Sequence, residues 1–214
     1  MSAPYVTPST RNVTRVFRGA TADDIDHGTQ WYVRAHGIAV QLSNAYGIDL
    51  DRVCGIIAAL SPQNSWGANV NLANRFCAAG GLDRGYLPVG LAKGRAILAG
   101  ADIESTLNGL KIINFYRSIL TAGREGVCID RHAYAIATNT RLANGATPSL
   151  TPTRYAEISQ TYQRAARILS NEYGMMLTPA QVQSVTWELW RRRYWATGAF
   201  DSFDLQLSFE LEVS

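Results

Sequence analysis

Two long stretches of this chain open in the same way and continue with the same period. "LTPTRYAEISQTYQRAARILSNEYG" starts at Leu150 and "LTPAQVQSVTWELWRRRYW" at Leu177. Threonine followed by proline suits a helix start, because the hydroxyl caps free backbone N–H groups and proline needs no donor in the first turn. Thr178 and Gln181 complete a capping box around Pro179. Apolar residues then recur every three or four positions: Tyr155, Ile158, Tyr162, Ala165 and Leu169 in the first stretch, and Val182, Val185, Leu189 and Trp190 in the second. That spacing belongs to helices with one buried face. A chain written this way over most of its length folds as an all-α protein.

The rest of the body agrees. Thr21 and Asp24 form a capping pair, and Trp31, Ala35, Ile38, Leu42 and Ala45 keep helical spacing, so residues 21–46 read as one long helix ended by Gly47. "LDRVCGIIAAL" at 50–60 is an apolar helix broken by "SPQNSW", and a further helix covers about 67–79 before Gly80 and Gly81. A short helix is expected at 90–98. Residues 112–122 are amphipathic, with Ile112, Phe115, Tyr116, Ile119 and Leu120 on one face, and a helix from Asp130 to about Leu142 follows. Only the end of the chain changes period. Phe203, Leu205, Leu207, Phe209, Leu211 and Val213 alternate with polar residues, which is strand spacing. A single strand needs a partner, so this tail leaves room for a homodimer or for pairing with another protein.

Composition narrows the class. At 47% hydrophobic and 17% charged residues, the chain is ordinary for a globular protein. No apolar run approaches the roughly 18–20 residues that span a bilayer, and the N-terminus has no apolar signal core, so the expectation is a cytoplasmic protein with no membrane partner. Cys54, Cys77 and Cys128 lie far apart; they suggest no disulfide framework, and with His27 and His36 they form no metal spacing, so neither metal nor cofactor is expected. The net charge of +3 is uneven. Residues 201–214 hold four acids and no base, so the first 200 residues carry +7. Residues 1–20 hold Arg11, Arg15 and Arg18 and no acid. The expected organisation is a basic arm at 1–20, a helical domain of two lobes at 21–200 and an acidic tail at 201–214, a charge distribution that permits nucleic-acid binding.

Chemistry concentrates in two blocks. "DIESTLNGLKIINFYRSIL", residues 102–120, places a short helix, a glycine-containing turn and an amphipathic helix in succession, a hairpin over about 102–122. Asp130, in "GVCIDRHAYAIA", follows Gly109 by 21 residues. This resembles the helix-hairpin-helix DNA glycosylase superfamily, which includes endonuclease III: its hairpin reads roughly L-P-G-V-G, and an aspartate follows some twenty residues later. Leu107, Gly109 and "IDRH" at 129–132 match. "IIAALSPQNSWGANVNLANRF", residues 56–76, is similar to the family's apolar helix, glutamine-containing turn and following helix. The resemblance covers roughly residues 50–142.

The resemblance implies a glycosylase-like helical bundle that acts on double-stranded DNA. Asn108, Gly109, Lys111 and Arg131 would contact phosphates, which sets register without reading sequence. The target nucleotide would be flipped out. Gln63 and Asn64 would fill the gap, while Trp66 or Tyr32 would stack on the extruded base, with His132 beside it. Asp130 would stabilise the sugar cation that forms as the N-glycosidic bond breaks, and orient the attacking water. Departures are informative. Lys111 replaces the usual second hairpin glycine and Asn108 the usual proline. Ile113 stands where bifunctional relatives carry a nucleophilic lysine, so lysine-dependent lyase chemistry is not expected.

Simpler roles stand beside these. Asp130 is a good helix cap in its own right, and with the hairpin at this spacing catalysis is placed ahead of it. Gln63 and Asn64 follow Pro62, where polar turn residues are common. Trp187, Trp190 and Trp195 read as core, and "RRR" at 191–193 complements a helix dipole. Two other functions compete with a glycosylase. One is the branch of the superfamily found in phage thymine-hypermodification pathways, which replaces a pyrophosphate on a hydroxymethyl-pyrimidine by an amine. The other is a non-catalytic DNA- or protein-binding module on the same scaffold.

Overall fold

The computed structural model describes residues 6–142 and 150–194. Among them the chain is all-helical, with no strand. The alternating segment 203–213, the acidic tail and Trp195 lie outside the described residues. The described residues divide into two compact units: the first takes residues 6–37 and, after Leu107, those up to 194, and the second takes Ile38–Leu107.

In the first unit, α1 (Thr10–Phe17) packs on α9 (Arg131–Thr138), α10 (Pro152–Tyr173) and α11 (Pro179–Tyr194), and α2 (Ala22–Thr29) packs on α11. Their buried faces form one core, with Val13, Phe17, Ile129, Ile136, Tyr162, Leu169 and Val182 essentially inaccessible to solvent. Both Thr-Pro starts form as expected. Thr151 accepts the Arg154 N–H, and Thr178 and Gln181 cap each other's backbone N–H at 3.2 and 2.9 Å. The first unit also holds α8 (Leu110–Leu120) and the start of α3 (Trp31–Tyr46).

Three features differ from expectation here. Residues 1–20 are not only a basic arm, because Val13 and Phe17 of α1 are core residues. Arg18 is paired with Glu172 at 2.7 Å, and Arg15 donates to Asn139. The expected single helix at 21–46 is two, parted at Gln30; the Thr29 hydroxyl turns back to the Asp26 carbonyl at the end of α2. Helix α9 stops at Thr138 rather than near Leu142. Asn139 takes a left-handed conformation (φ 52°), and the Thr140 N–H reaches back to Ala135, a closed helix end that admits no further turn.

In the second unit, α4 (Leu50–Ala59) is the central element, with Val53 to Leu60 all buried. Helices α5 (Trp66–Ala78), α6 (Pro88–Leu98) and α7 (Ile103–Leu107) pack on it. Close approach is made by glycine: a Cβ at Gly94 would meet the Phe76 ring at 2.8 Å. Ala45, expected on the buried face of α3, is exposed.

Candidate functional site

Asp130 sits where α9 begins. Its Oδ1 accepts the N–H groups of His132 and Ala133 at 2.9 and 2.8 Å, so it is the N-cap. Its Oδ2 accepts the indole N–H of Trp187, on α11, at 2.8 Å. The carboxylate is half-buried. Backbone and side chain together fix its plane with three donors.

The segment that delivers Asp130 is itself held from both sides. The Tyr155 hydroxyl, on α10, donates to the Val127 carbonyl at 2.6 Å and accepts from the Ile129 N–H at 3.0 Å. From α8, Asn114 accepts the Val127 N–H. Gly126 turns at φ 80°, and a Cβ there would lie 2.7 Å from the Asn114 carbonyl, so the segment meets α8 only with glycine at this turn. Cys128 donates weakly to the Lys111 carbonyl. Burial pushes the Tyr155 phenol far up and the Cys128 thiol up to about 12, which keeps both neutral. A site held by buried neutral groups presents its one carboxylate with little freedom to turn.

Three cations act on His132, the residue two positions after Asp130. His132 is buried beside it, and its imidazole titrates below the ordinary histidine range. Burial is the main cause; Arg191, Arg131 and Lys111 push the same way, and Asp130 opposes them. His132 is therefore neutral near pH 7. Its ring meets Trp187 edge-on at 5.9 Å, and the Arg191 guanidinium lies over the Trp187 ring at 4.5 Å. Lys111 is exposed and Arg131 half-buried.

The two residues before α8 both take positive φ. Asn108 takes φ 57° and Gly109 φ 137°, the latter a region that L side chains rarely adopt. Both are exposed, a Cβ on Gly109 would meet no atom within 4 Å, and no side chain caps α8. The first amides of α8 are thus without a side-chain partner from the N-cap position, at the positive end of an 11-residue helix.

The structure brings Asp130, His132, Arg131 and Lys111 into one electrostatic neighbourhood in the first unit. Tyr32 belongs to that unit but not as an open stacking surface. It is 3% exposed, its hydroxyl donates to Gln183, and its ring packs edge-on against Trp31 and Phe115. Tyr32 is a core residue because the ring, at helical spacing with Ala35, faces inward.

Gln63, Asn64 and Trp66 belong to the second unit. Gln63 is exposed at φ 61°. The Asn64 amide donates to the Leu60 carbonyl at 3.0 Å and so finishes α4. Trp66 opens α5 and is half-buried.

Sequence reasoning missed Trp187, read as core together with Trp190. Trp190 is core, at 6% exposure, but Trp187 is half-buried and bonded to Asp130. The available signal was the i, i+4 pair Trp187–Arg191, since an arginine one turn on seldom shares a face with a fully buried ring. Among the described residues no group of three or more His, Cys, Asp or Glu could hold a metal ion, and no helix is long and apolar enough to cross a membrane.

The sequence model of one family matches residues 2–194; its description is "Family of unknown function (DUF7178)". No curated protein and no solved structure matches the chain.

Proposed function

The chain belongs to the DUF7178 family, and from the geometry around Asp130 we propose that it is a DNA base-processing enzyme of the helix-hairpin-helix glycosylase type. It flips a nucleotide out of duplex DNA and hydrolyses its N-glycosidic bond with Asp130, without lysine-dependent strand cleavage. The observation that carries this reading is the Asp130 carboxylate, fixed by three donors next to His132, on whose ring the charges of Lys111, Arg131 and Arg191 act.

The chemistry follows from charge. As the bond from C1′ to the base lengthens, the electron pair leaves with the base and the sugar becomes cationic. A fixed carboxylate beside C1′ stabilises that cation more than the neutral ground state, which is what lowers a barrier. It can also accept a proton from the water that attacks C1′. The cations that act on His132 suit backbone phosphates. The turn at Asn108–Gly109, with the uncapped start of α8, suits one more phosphate. Ile113 cannot form a Schiff base, so the abasic strand is left intact.

Mass spectrometry of small molecules released from genomic DNA, with and without modified pyrimidines, tests the proposal. The wild type releases a free base, and Asp130→Asn, which retains a cap acceptor, releases it about 10²–10³-fold more slowly. Pyrophosphate release with a mass gain on a retained base would replace the reading by the amine transferase. DNA binding without either product would leave a binding module in which Asp130 only caps α9.

A further inference from the structure

We propose that Trp187 is a positioning residue for Asp130, and that the Arg191–Trp187 pair makes Oδ2 the carboxylate oxygen presented to substrate. The inference rests on the glycosylase-type reading of Asp130 but adds a residue and an atom to it. Each carboxylate oxygen offers about two lone-pair directions. Oδ1 spends both on the His132 and Ala133 N–H groups. Oδ2 spends one on the Trp187 indole and keeps the other.

The indole is held in turn. The Arg191 guanidinium lies 4.5 Å from its ring centre, and the His132 ring stands at 90° to it. A cation over the indole face draws electron density from the ring and sharpens its N–H as a donor. Trp187 and Arg191 are one turn apart on α11, whereas Asp130 is on α9, so the bond also fixes the carboxylate to a second helix. Rotation about the Asp130 Cβ–Cγ bond, which would exchange the two oxygens, breaks three hydrogen bonds at once. The remaining ionisable neighbours are Lys111 from α8, Arg131 and His132 from α9, and the neutral Cys128, Tyr32, Tyr155 and Tyr162.

The test uses the full chain labelled with ¹⁵N. Trp187→Phe identifies the Trp187 indole resonance by its loss and keeps an aromatic ring in place. In the wild type this resonance moves when acid protonates the Asp130 carboxylate; in Asp130→Asn no such movement occurs. An indole signal that ignores pH in the wild type, or titrates equally in Asp130→Asn, overturns the proposal. Where wild-type protein releases base, Trp187→Phe lowers kcat about ten-fold with KM within about two-fold. Trp187→His, which restores an N–H donor, recovers part of the loss. A fully active Trp187→Phe also overturns the proposal while leaving the glycosylase reading intact. If the wild type releases no base, that reading falls, and the indole titration alone decides whether Trp187 holds Asp130.

Discussion

Two glycines show how a single Cβ changes sign with its surroundings. Gly28 lies in α2, where alanine is the better helix former by about 1 kcal/mol. Yet a Cβ there would come within 2.6 Å of Val185 Cγ2 and 2.8 Å of Val185 Cα, and a backbone atom cannot step aside. Overpacking of this kind costs about 1–3 kcal/mol, so it outweighs the propensity gain and Gly28→Ala lowers the melting temperature. Gly37, in α3, has nothing within 4 Å of the same added atom. Gly37→Ala raises the melting temperature, by about 0.5–1 kcal/mol of stability. Differential scanning calorimetry of the two variants should show opposite shifts. Asp130 is read at the same scale. Capping would not compete with the proposed catalysis, because Oδ1 accepts both backbone N–H groups while Oδ2 accepts only the Trp187 indole among the described residues.

At the scale of elements, the helix starts carry measurable energy. The Thr178 hydroxyl accepts the Gln181 N–H and donates to the Gly123 carbonyl at 2.7 Å, tying the start of α11 to the segment after α8. Thr178→Ala loses both bonds and should cost about 1–2 kcal/mol, read as a lower urea midpoint at unchanged slope. Such starts were legible in the sequence, because a cap is a local device: Thr21, Thr151 and Thr178 each act within three residues of themselves. The helical periods were legible for the same reason. The break at Gln30 was not, since Ala22 to Tyr46 contains no proline, and the parting shows only in how α2 lies on α11. Helix α1 escaped because eight residues are too few for a periodic signal, although Val13, Val16 and Phe17 carry one turn of it. Of the site, Asp130 and its acidic cap position could be read from "IDRH". Trp187 reaches Asp130 from 57 positions away, and Tyr155 reaches Val127, three residues before it, from 28 positions away, by distances that only the folded chain sets.

At the scale of the whole molecule, acid and thiol chemistry report on the fold. Asp24 is held at about 2, below the ordinary carboxylate range, chiefly by its bond to Arg192 at 2.8 Å and helped by the Thr21 cap. The unfolded chain takes up the proton more readily than the folded one, so the pair's stabilisation is complete above about pH 4 and fades as pH falls toward 2. The stability gap between wild type and Asp24→Asn should therefore be widest near neutrality and close toward pH 2 in acid-unfolding curves. Cys54, Cys77 and Cys128 are free and buried, and burial raises their thiols to about 12, 11 and 12. A disulfide reagent should modify none of them quickly in the native protein and all three once urea unfolds it.

The division of the chain also dictates an order of assembly on the ribosome. Among the described residues the second unit is one continuous stretch, Ile38–Leu107, while α1 packs on α9, α10 and α11, and α2 on α11. At about 5–20 residues per second, Gly28 precedes Val185 by roughly 8–30 s. For that interval Val13 and Phe17 lack the partners that α9, α10 and α11 give them. Chaperone capture of the emerging N-terminus is the vulnerability built into this order, and it ends only when the last helix of the first unit leaves the exit tunnel.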